Sequence, residues 1–367
     1  MESDVTLVIV VATALAFDFT NGFHDTANVV ATSISTRAMP PRVAVTFAAI
    51  LNFVGAFISL EVAATVAQGI VEADLVTPII VFGGLVGAIA WNLITWYFGL
   101  PSSSSHALIG GVVGAAFVAE GARAVQGEGL VANVAIPALV APTLAFVVAG
   151  IAILVAYALV GRLRPGPVGR GFRLGQIVSA GLLALSHGTN DAQKTMGVIT
   201  LALVANGNIA ADDFHVPDWV VISAATAMAL GTYVGGWRII RTMATRIIKM
   251  DSAQGFSAEA AGASVILAAS HFGYPLSTTH TISGAVMGVG AAKRLSAVRW
   301  GVAGNIVLAW VLTIPAAATM GGLVYGVSHL FGTGALGPVL VTILIVVATA
   351  AVFARRVRRG SPISAEA

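Results

Sequence analysis

The sequence predicts an all-α membrane protein made of an inverted-topology repeat, with two broken transmembrane helices and two re-entrant helical hairpins. Three observations carry this expectation: an apolar, charge-poor composition, an alternation of basic and acidic connections, and a polar doublet present once in each half. Hydrophobic residues make up 57% of the chain and charged residues 10%, far below the roughly 25% charge of a soluble domain. The runs at residues 43–60, 134–160, 219–237, 300–325 and 337–353 approach or exceed the ~20 apolar residues that cross a bilayer as a helix. No water-soluble domain is visible between them. The opening Met1-Glu2-Ser3-Asp4 is acidic, whereas a secretory leader needs a basic start, so the first apolar run reads as a retained membrane segment. With zero cysteines, disulfide and thiolate chemistry are excluded. The formal charge of +3 comes from arginines flanking apolar runs, so nucleic acid is not an expected partner and the lipid bilayer is.

Charge placement orients the segments, because basic loops stay in the cytoplasm. The basic clusters are Arg37/Arg42, Arg162/Arg164/Arg170/Arg173, Arg238/Arg241/Arg246/Lys249, Lys293/Arg294/Arg299 and Arg355/Arg356/Arg358/Arg359. The remaining connections are acidic or nearly neutral, with Glu72 and Asp74 in one and Asp212, Asp213 and Asp218 in another. On that alternation residues 5–36 run inward and 43–60 outward. Residues 78–118 leave from and return to the outside, and 134–160 come back in. Residues 174–204, 219–236, 259–292 and 300–325 repeat this order with opposite orientation, which defines an inverted repeat. The expected divisions are 1–160 and 161–326 for the two repeats, then 327–367 for a final helix and basic tail. The N-terminus is placed outside a cell (plasma or inner) membrane and the C-terminus in the cytoplasm. The arms at 259–273 and 281–292 are short for a crossing and read as a re-entrant hairpin; the longer arm at 78–100 also admits a full crossing, with the same parity.

The polar doublet lies inside this apolar frame. Gly22-Phe23-His24-Asp25-Thr26-Ala27-Asn28 and Gly188-Thr189-Asn190-Asp191-Ala192-Gln193-Lys194 form one member; Pro101-Ser102-Ser103-Ser104-Ser105-His106 and Pro275-Leu276-Ser277-Thr278-Thr279-His280 form the other. Glycine weakens a helix and Asn/Asp side chains compete for backbone hydrogen bonds, so breaks are expected at 20–28 and 186–194. His24, Asp25, Asn28, Asn190 and Asp191 are then candidate ligands or proton carriers for a coupling cation, and His24, Asp25 and Asp191 a candidate metal group. In the hairpins Ser103, Ser104, Ser105, Ser277, Thr278 and Thr279 open the following helix, where hydroxyls, free N–H groups and the helix dipole receive an anion. Lys194 is the only fixed positive charge in the four motifs; Gln193 beside it completes the substrate-binding set. His106 and His280 are candidate contacts for a proton or for the anion. Each group also has a structural reading: carboxylates tying helices together, hydroxyls capping them, Lys194 snorkelling, histidines donating one hydrogen bond. No comparable reasoning singles out His187, His215, His271 or His329. The runs Gly83-Gly84-xx-Gly87 and Gly110-Gly111-xx-Gly114 permit close helix contact.

At these residues the chain resembles the inorganic phosphate transporter (PiT) family of low-affinity phosphate permeases. The resemblance rests on GFHDTAN at 22–28, GTNDAQK at 188–194, PSSSSH at 101–106 and PLSTTH at 275–280. It extends through GTYVGGWRIIRT at 231–242, AQGFSAE at 253–259 and WGVAGNIVLAW at 300–310. It implies a symporter, not an enzyme, that carries inorganic phosphate with cations between broken helices and hairpin tips, and it implies a homodimer. His24 stands where sodium-coupled members carry Asn, so GFHDTAN is similar to the bacterial proton-coupled branch. That branch takes phosphate with protons or as a metal–phosphate complex; Asn190 keeps a sodium site open. No resident cofactor is expected, only a co-transported proton, sodium ion or phosphate-bound divalent metal.

Three other functions compete. A carrier for another oxyanion such as sulfate uses the same machinery. An intramembrane hydrolase has Ser, His and Asp to hand, but the sequence supplies two mirrored copies and no nucleophile elbow. A passive channel does not need coupling residues in mirrored helices.

Overall fold

The structure is a computed structural model describing residues 2–210 and 213–358. Met1, Asp212, Arg359 and residues 360–367 of the expectations above lie outside the described residues. The described residues form helices and turns, with one isolated antiparallel bridge between Val71 and Val125. The first half runs α1 (Glu2–Ser35), α2 (Pro41–Gly55), α3 (Glu61–Gln68), α4 (Pro78–Phe98) and α5 (Ser104–Glu120). A short α6 (Gly127–Leu130) then passes through a π turn into α7 (Ile136–Val160). The second half runs α8 (Pro165–Ala205), α9 (Asp218–Val234), α10 (Trp237–Arg241), α11 (Ser252–His271), α12 (Thr278–Lys293) and α13 (Trp300–His329), and α14 (Leu336–Arg358) ends it. The order long helix, divided helix, hairpin, long helix therefore occurs twice.

The halves interlock by exchange of partners. Helix α1 packs on α9 while α8 packs on α2; α4 and α5 pack on α13 while α11 and α12 pack on α7. Burial separates the polar from the apolar helices. The most apolar stretch of α6–α7 is only 17% buried, against 67% for α4, and Leu139, Ile151, Leu154 and Leu159 on α7 are exposed. Such a surface suits lipid tails and not water. Five helical spans in the described residues are long and apolar enough to cross a membrane, or six when the bent pair α9–α10 counts as one. Helix α8, 41 residues long, falls outside that set because its central residues are polar, and they are buried in protein.

Both expected helix breaks are absent: α1 continues through residues 20–28 and α8 through 186–194. The side chains of Asp25, Asn28, Asn190 and Asp191 bond to other helices instead of their own backbone, so the competition that would break a helix does not arise. The glycines serve close packing. A Cβ on Gly188 would lie 2.1 Å from the Asn52 carbonyl oxygen, and one on Gly22 2.2 Å from that of Met228. Bends occur instead at the ends of the second segment of each half. Helices α9 and α10 meet at a 58° bend across Gly235, whose φ of 72° suits glycine, and α2 ends at Gly55 before α3 begins at Glu61.

Gly188→Ala is accordingly expected to force α8 off α2. Overpacking costs about 1–3 kcal/mol where side chains can shift, and here the obstacle is backbone, so the thermal unfolding midpoint in detergent should fall by several degrees or folded protein should be lost. An unchanged midpoint would show that α2 and α8 are not held this closely.

The hairpins turn through Gly99 and Gly273, at φ 65° and 74°, followed by Pro101 and Pro275. Helix α11 is longer than the arm expected at 259–273. It starts at Ser252 because Asp251 and Gln254 form a reciprocal capping box: the Gln254 N–H donates to Asp251 Oδ1 at 2.9 Å, and the Asp251 N–H to Gln254 Oε1 at 3.1 Å. The glycine runs close the other seam, as expected. A Cβ on Gly84 would lie 2.6 Å from the Val112 Cα, one on Gly111 2.2 Å from the Gly84 carbonyl oxygen, and one on Gly114 2.0 Å from the Ala318 carbonyl oxygen.

Candidate functional site

The two hairpin tips meet between α1 and α8. Ser105 Oγ donates to the Leu276 carbonyl at 3.3 Å, and the rings of His106 and His280 lie edge to face, centroids 4.7 Å apart. Each tip opens a helix with a serine N-cap: Ser103 Oγ accepts from the His106 N–H at 3.1 Å and Ser277 Oγ from the His280 N–H at 3.3 Å. The following hydroxyls are thereby free to face α1 and α8.

Ser104 Oγ donates to Asp25 Oδ2 at 2.7 Å. Thr278 Oγ1 stands 3.2 Å from Asp191 Oδ2 and 3.4 Å from Asp25 Oδ2, one hydroxyl between two carboxylates. Lys194 Nζ donates to Asp191 Oδ1 at 2.5 Å, to Ser105 Oγ at 2.6 Å and to the Leu276 carbonyl at 2.6 Å. Asn28 Nδ2 donates to Thr279 Oγ1 at 2.9 Å. The pattern is crosswise: Asn28 and Lys194 each stand three residues after the aspartate of their helix, and each reaches the hydroxyl preceding His in the other half's hairpin. All these side chains are buried. Because a half-made network of this kind would be costly, its members fix one another's positions.

Histidine placement differs from the sequence reading. His24 Nδ1 contacts Asp25 Oδ1 at 2.6 Å, while its Nε2 lies 3.2 Å from Thr95 Oγ1 and 3.3 Å from Ser102 Oγ. Both nitrogens are therefore occupied, and His24 holds Asp25 from behind. Among the described residues, the group whose ligand atoms lie close enough to hold a metal ion, within 4.8 Å of one another, is Asp25, His187 and Asp191, in which His187 stands where the sequence suggests His24. His187 Nε2 is 3.2 Å from Asp191 Oδ2 and its Nδ1 3.2 Å from Asn52 Oδ1. Its sequence signal was the four-residue spacing to Asp191, which sets both on one helix face.

Gln193 lies away from the tips. Its Oε1 accepts from the Val62 and Ala63 N–H groups at 2.8 and 3.2 Å, capping α3, and its amide donates to Thr189. Asn190 Nδ2 donates to Ser270 Oγ at 2.9 Å and the Tyr274 carbonyl at 3.1 Å, while its Oδ1 has no hydrogen-bond partner. The site thus combines two helix N-termini with hydroxyl donors, which suit an oxyanion, and two carboxylates, which repel one. Against them stands one fixed cation in the site, Lys194.

The sequence profile of the phosphate transporter family matches residues 21–168 and again 164–321, so each match takes in one copy of both motifs. The chain belongs to the phosphate transporter family. It is 53% identical over 326 residues to the "Probable low-affinity inorganic phosphate transporter" of Mycobacterium tuberculosis (strain CDC 1551 / Oshkosh), covering 89% of this chain and 78% of that one. It is 51% identical over 320 residues to the protein of the same description from Rhizobium meliloti (strain 1021), covering 87% and 95%. The fold of a solved structure titled "The sodium-dependent phosphate transporter" superposes with TM-score 0.77 at 26% identity, covering 89% of this chain and 99% of that one. The family is one of membrane transporters, not enzymes, which removes the hydrolase.

Proposed function

We propose that this transporter is a secondary symporter that imports inorganic phosphate with cations by alternating access. Its two repeats, residues 1–160 and 161–326, are oppositely oriented and enclose one central site, with residues 327–367 as an added helix and tail. The hairpins are re-entrant, so that their tips bring the α5 and α12 N-termini to the anion from opposite sides. The single observation that carries the reading is Thr278 Oγ1 within reach of both Asp25 and Asp191, because it joins both repeats' carboxylates to an anion-binding tip. Without cations, divalent phosphate would move two negative charges against an inside-negative potential, at about 2.3 kcal/mol per charge per 100 mV.

The mixed oxygen and nitrogen donors of Asp25, His187 and Asp191 support a proton or a borderline divalent metal as the coupling ion. His24 sets this preference by orienting Asp25. Sodium is the second reading, favoured by the unpartnered Oδ1 of Asn190. Uptake into proteoliposomes is expected to persist without sodium and to respond to an imposed pH gradient or divalent metal, with that response lost in His24→Asn. Strict sodium dependence, with no effect of pH or metal, would reverse the assignment in favour of sodium.

A further inference from the structure

Asp18 is fully buried on α1, 0% exposed, and neither carboxylate oxygen has a hydrogen-bond partner. Its polar neighbours are Asn21 and Thr195, themselves 1% and 0% exposed; Asn21 Oδ1 and Thr195 Oγ1 are also without partners. Three orphaned polar groups in one buried place are costly, because each forgoes water without compensation. Asp18, Asn21 and Asp25 recur at three- and four-residue steps along one face of α1, as Asp191 and Thr195 do on α8. The cluster therefore lies on the same seam as the transport site, one or two turns along it.

The donor set favours a proton over a metal ion. Asp18, Asn21 and Thr195 supply only oxygen acceptors, too few to replace a sodium ion's water shell, and the carbonyls of unbroken α1 and α8 are engaged in their helices. One proton changes this: it neutralises the buried carboxylate and gives Asp18 an O–H, for which Asn21 Oδ1 is the acceptor. The charged groups acting on Asp18 are Asp191 and Lys194, which are paired with each other. Helix α4 carries no charged residue, Arg42 of α2 and Asp218 of α9 stand in first turns, and Glu259 of α11 is held by Thr32 and Ser33 at the other end of α1. On α1 itself His24 and Asp25 form their own pair.

We propose that Asp18 with Asn21 and Thr195 is a second cation site, separate from the Asp25–His187–Asp191 group, which carries one proton per transport cycle. The carboxylate takes the proton from external water when the site faces out and returns it to internal water when it faces in; no other bond changes. The inference rests on the proposed symport reading, but its first test does not need transport.

Infrared spectra of the purified protein at neutral pH should show the carbonyl stretch of a buried protonated carboxyl group that disappears in Asp18→Asn. Asn21→Ala, which leaves the carboxyl in place, should shift the same band to higher frequency by removing its acceptor. In proteoliposomes Asp18→Asn should retain phosphate exchange while losing one proton taken up per phosphate, and Asp18→Glu should restore it. An identical band in Asp18→Asn, or an unshifted one in Asn21→Ala should the first variant not fold, overturns the proposal. So does an unchanged proton-to-phosphate ratio, or a variant whose only effect is on sodium dependence. A parent protein that moves no phosphate would remove the symport reading while the infrared result still decides on Asp18.

Discussion

Asp191→Asn is expected to abolish concentrative phosphate uptake and to destabilise the protein, whereas Asp25→Asn should abolish uptake in a protein that stays folded. The asymmetry follows from Lys194. Its ammonium group is buried, 1% exposed, and paired with Asp191 at 2.5 Å; removing the carboxylate's charge leaves an uncompensated buried cation, at a cost of about 3–5 kcal/mol. Asp25 instead faces His24 and two hydroxyls, and an amide oxygen still accepts from Ser104. Thermal unfolding of the purified variants measures the first difference and uptake against a gradient the second. The double variant Asp191→Asn/Lys194→Met should recover most of the lost stability but no uptake, since the transport charge is gone. Equal stability of both single variants would mean that Lys194 does not depend on Asp191, and near-normal uptake by both would return the carboxylates to a structural role.

Thr278→Ala and Ser104→Ala should each weaken phosphate binding by about tenfold or more, because a hydrogen bond to a charged group contributes roughly 1.5–3 kcal/mol. Ser277→Ala removes an N-cap instead and should lower stability by ~1 kcal/mol with a smaller effect on affinity. The contrast separates hydroxyls facing the anion from those holding the helix. Isothermal titration of the detergent-purified variants with phosphate reads it directly. Unchanged affinity in both Thr278→Ala and Ser104→Ala would move the anion away from the hairpin tips.

The all-helical fold, the twofold order of its elements and the Pro-led turns before α5 and α12 are legible because each is written locally, in apolar runs and in a turn between them. The helix breaks are not. Gly22 and Gly188 look alike whether they interrupt a helix or admit a neighbour, and only the carbonyls of Met228 and Asn52 opposite them decide. His187 stands just outside the consecutive motif residues, while the donor group it joins is assembled across α1 and α8. Gln193 sits between Asp191 and Lys194 in sequence yet turns to the start of α3, since adjacent helical residues face different ways. Asp18 carries no motif at all, and its interest comes entirely from the missing partners around it.

On the proposed symport mechanism, one oxyanion sits between the hairpin tips, against both aspartates. Arsenate has phosphate's shape and charge, so crystals grown with it and measured at the arsenic absorption edge locate the anion without ambiguity from water. A single anomalous peak is expected within hydrogen-bonding distance of the hydroxyls of Ser104, Ser105, Thr278 and Thr279. A bound anion anywhere else, with those hydroxyls still bonded to Asp25, Asp191, Asn28 and Lys194, would contradict it.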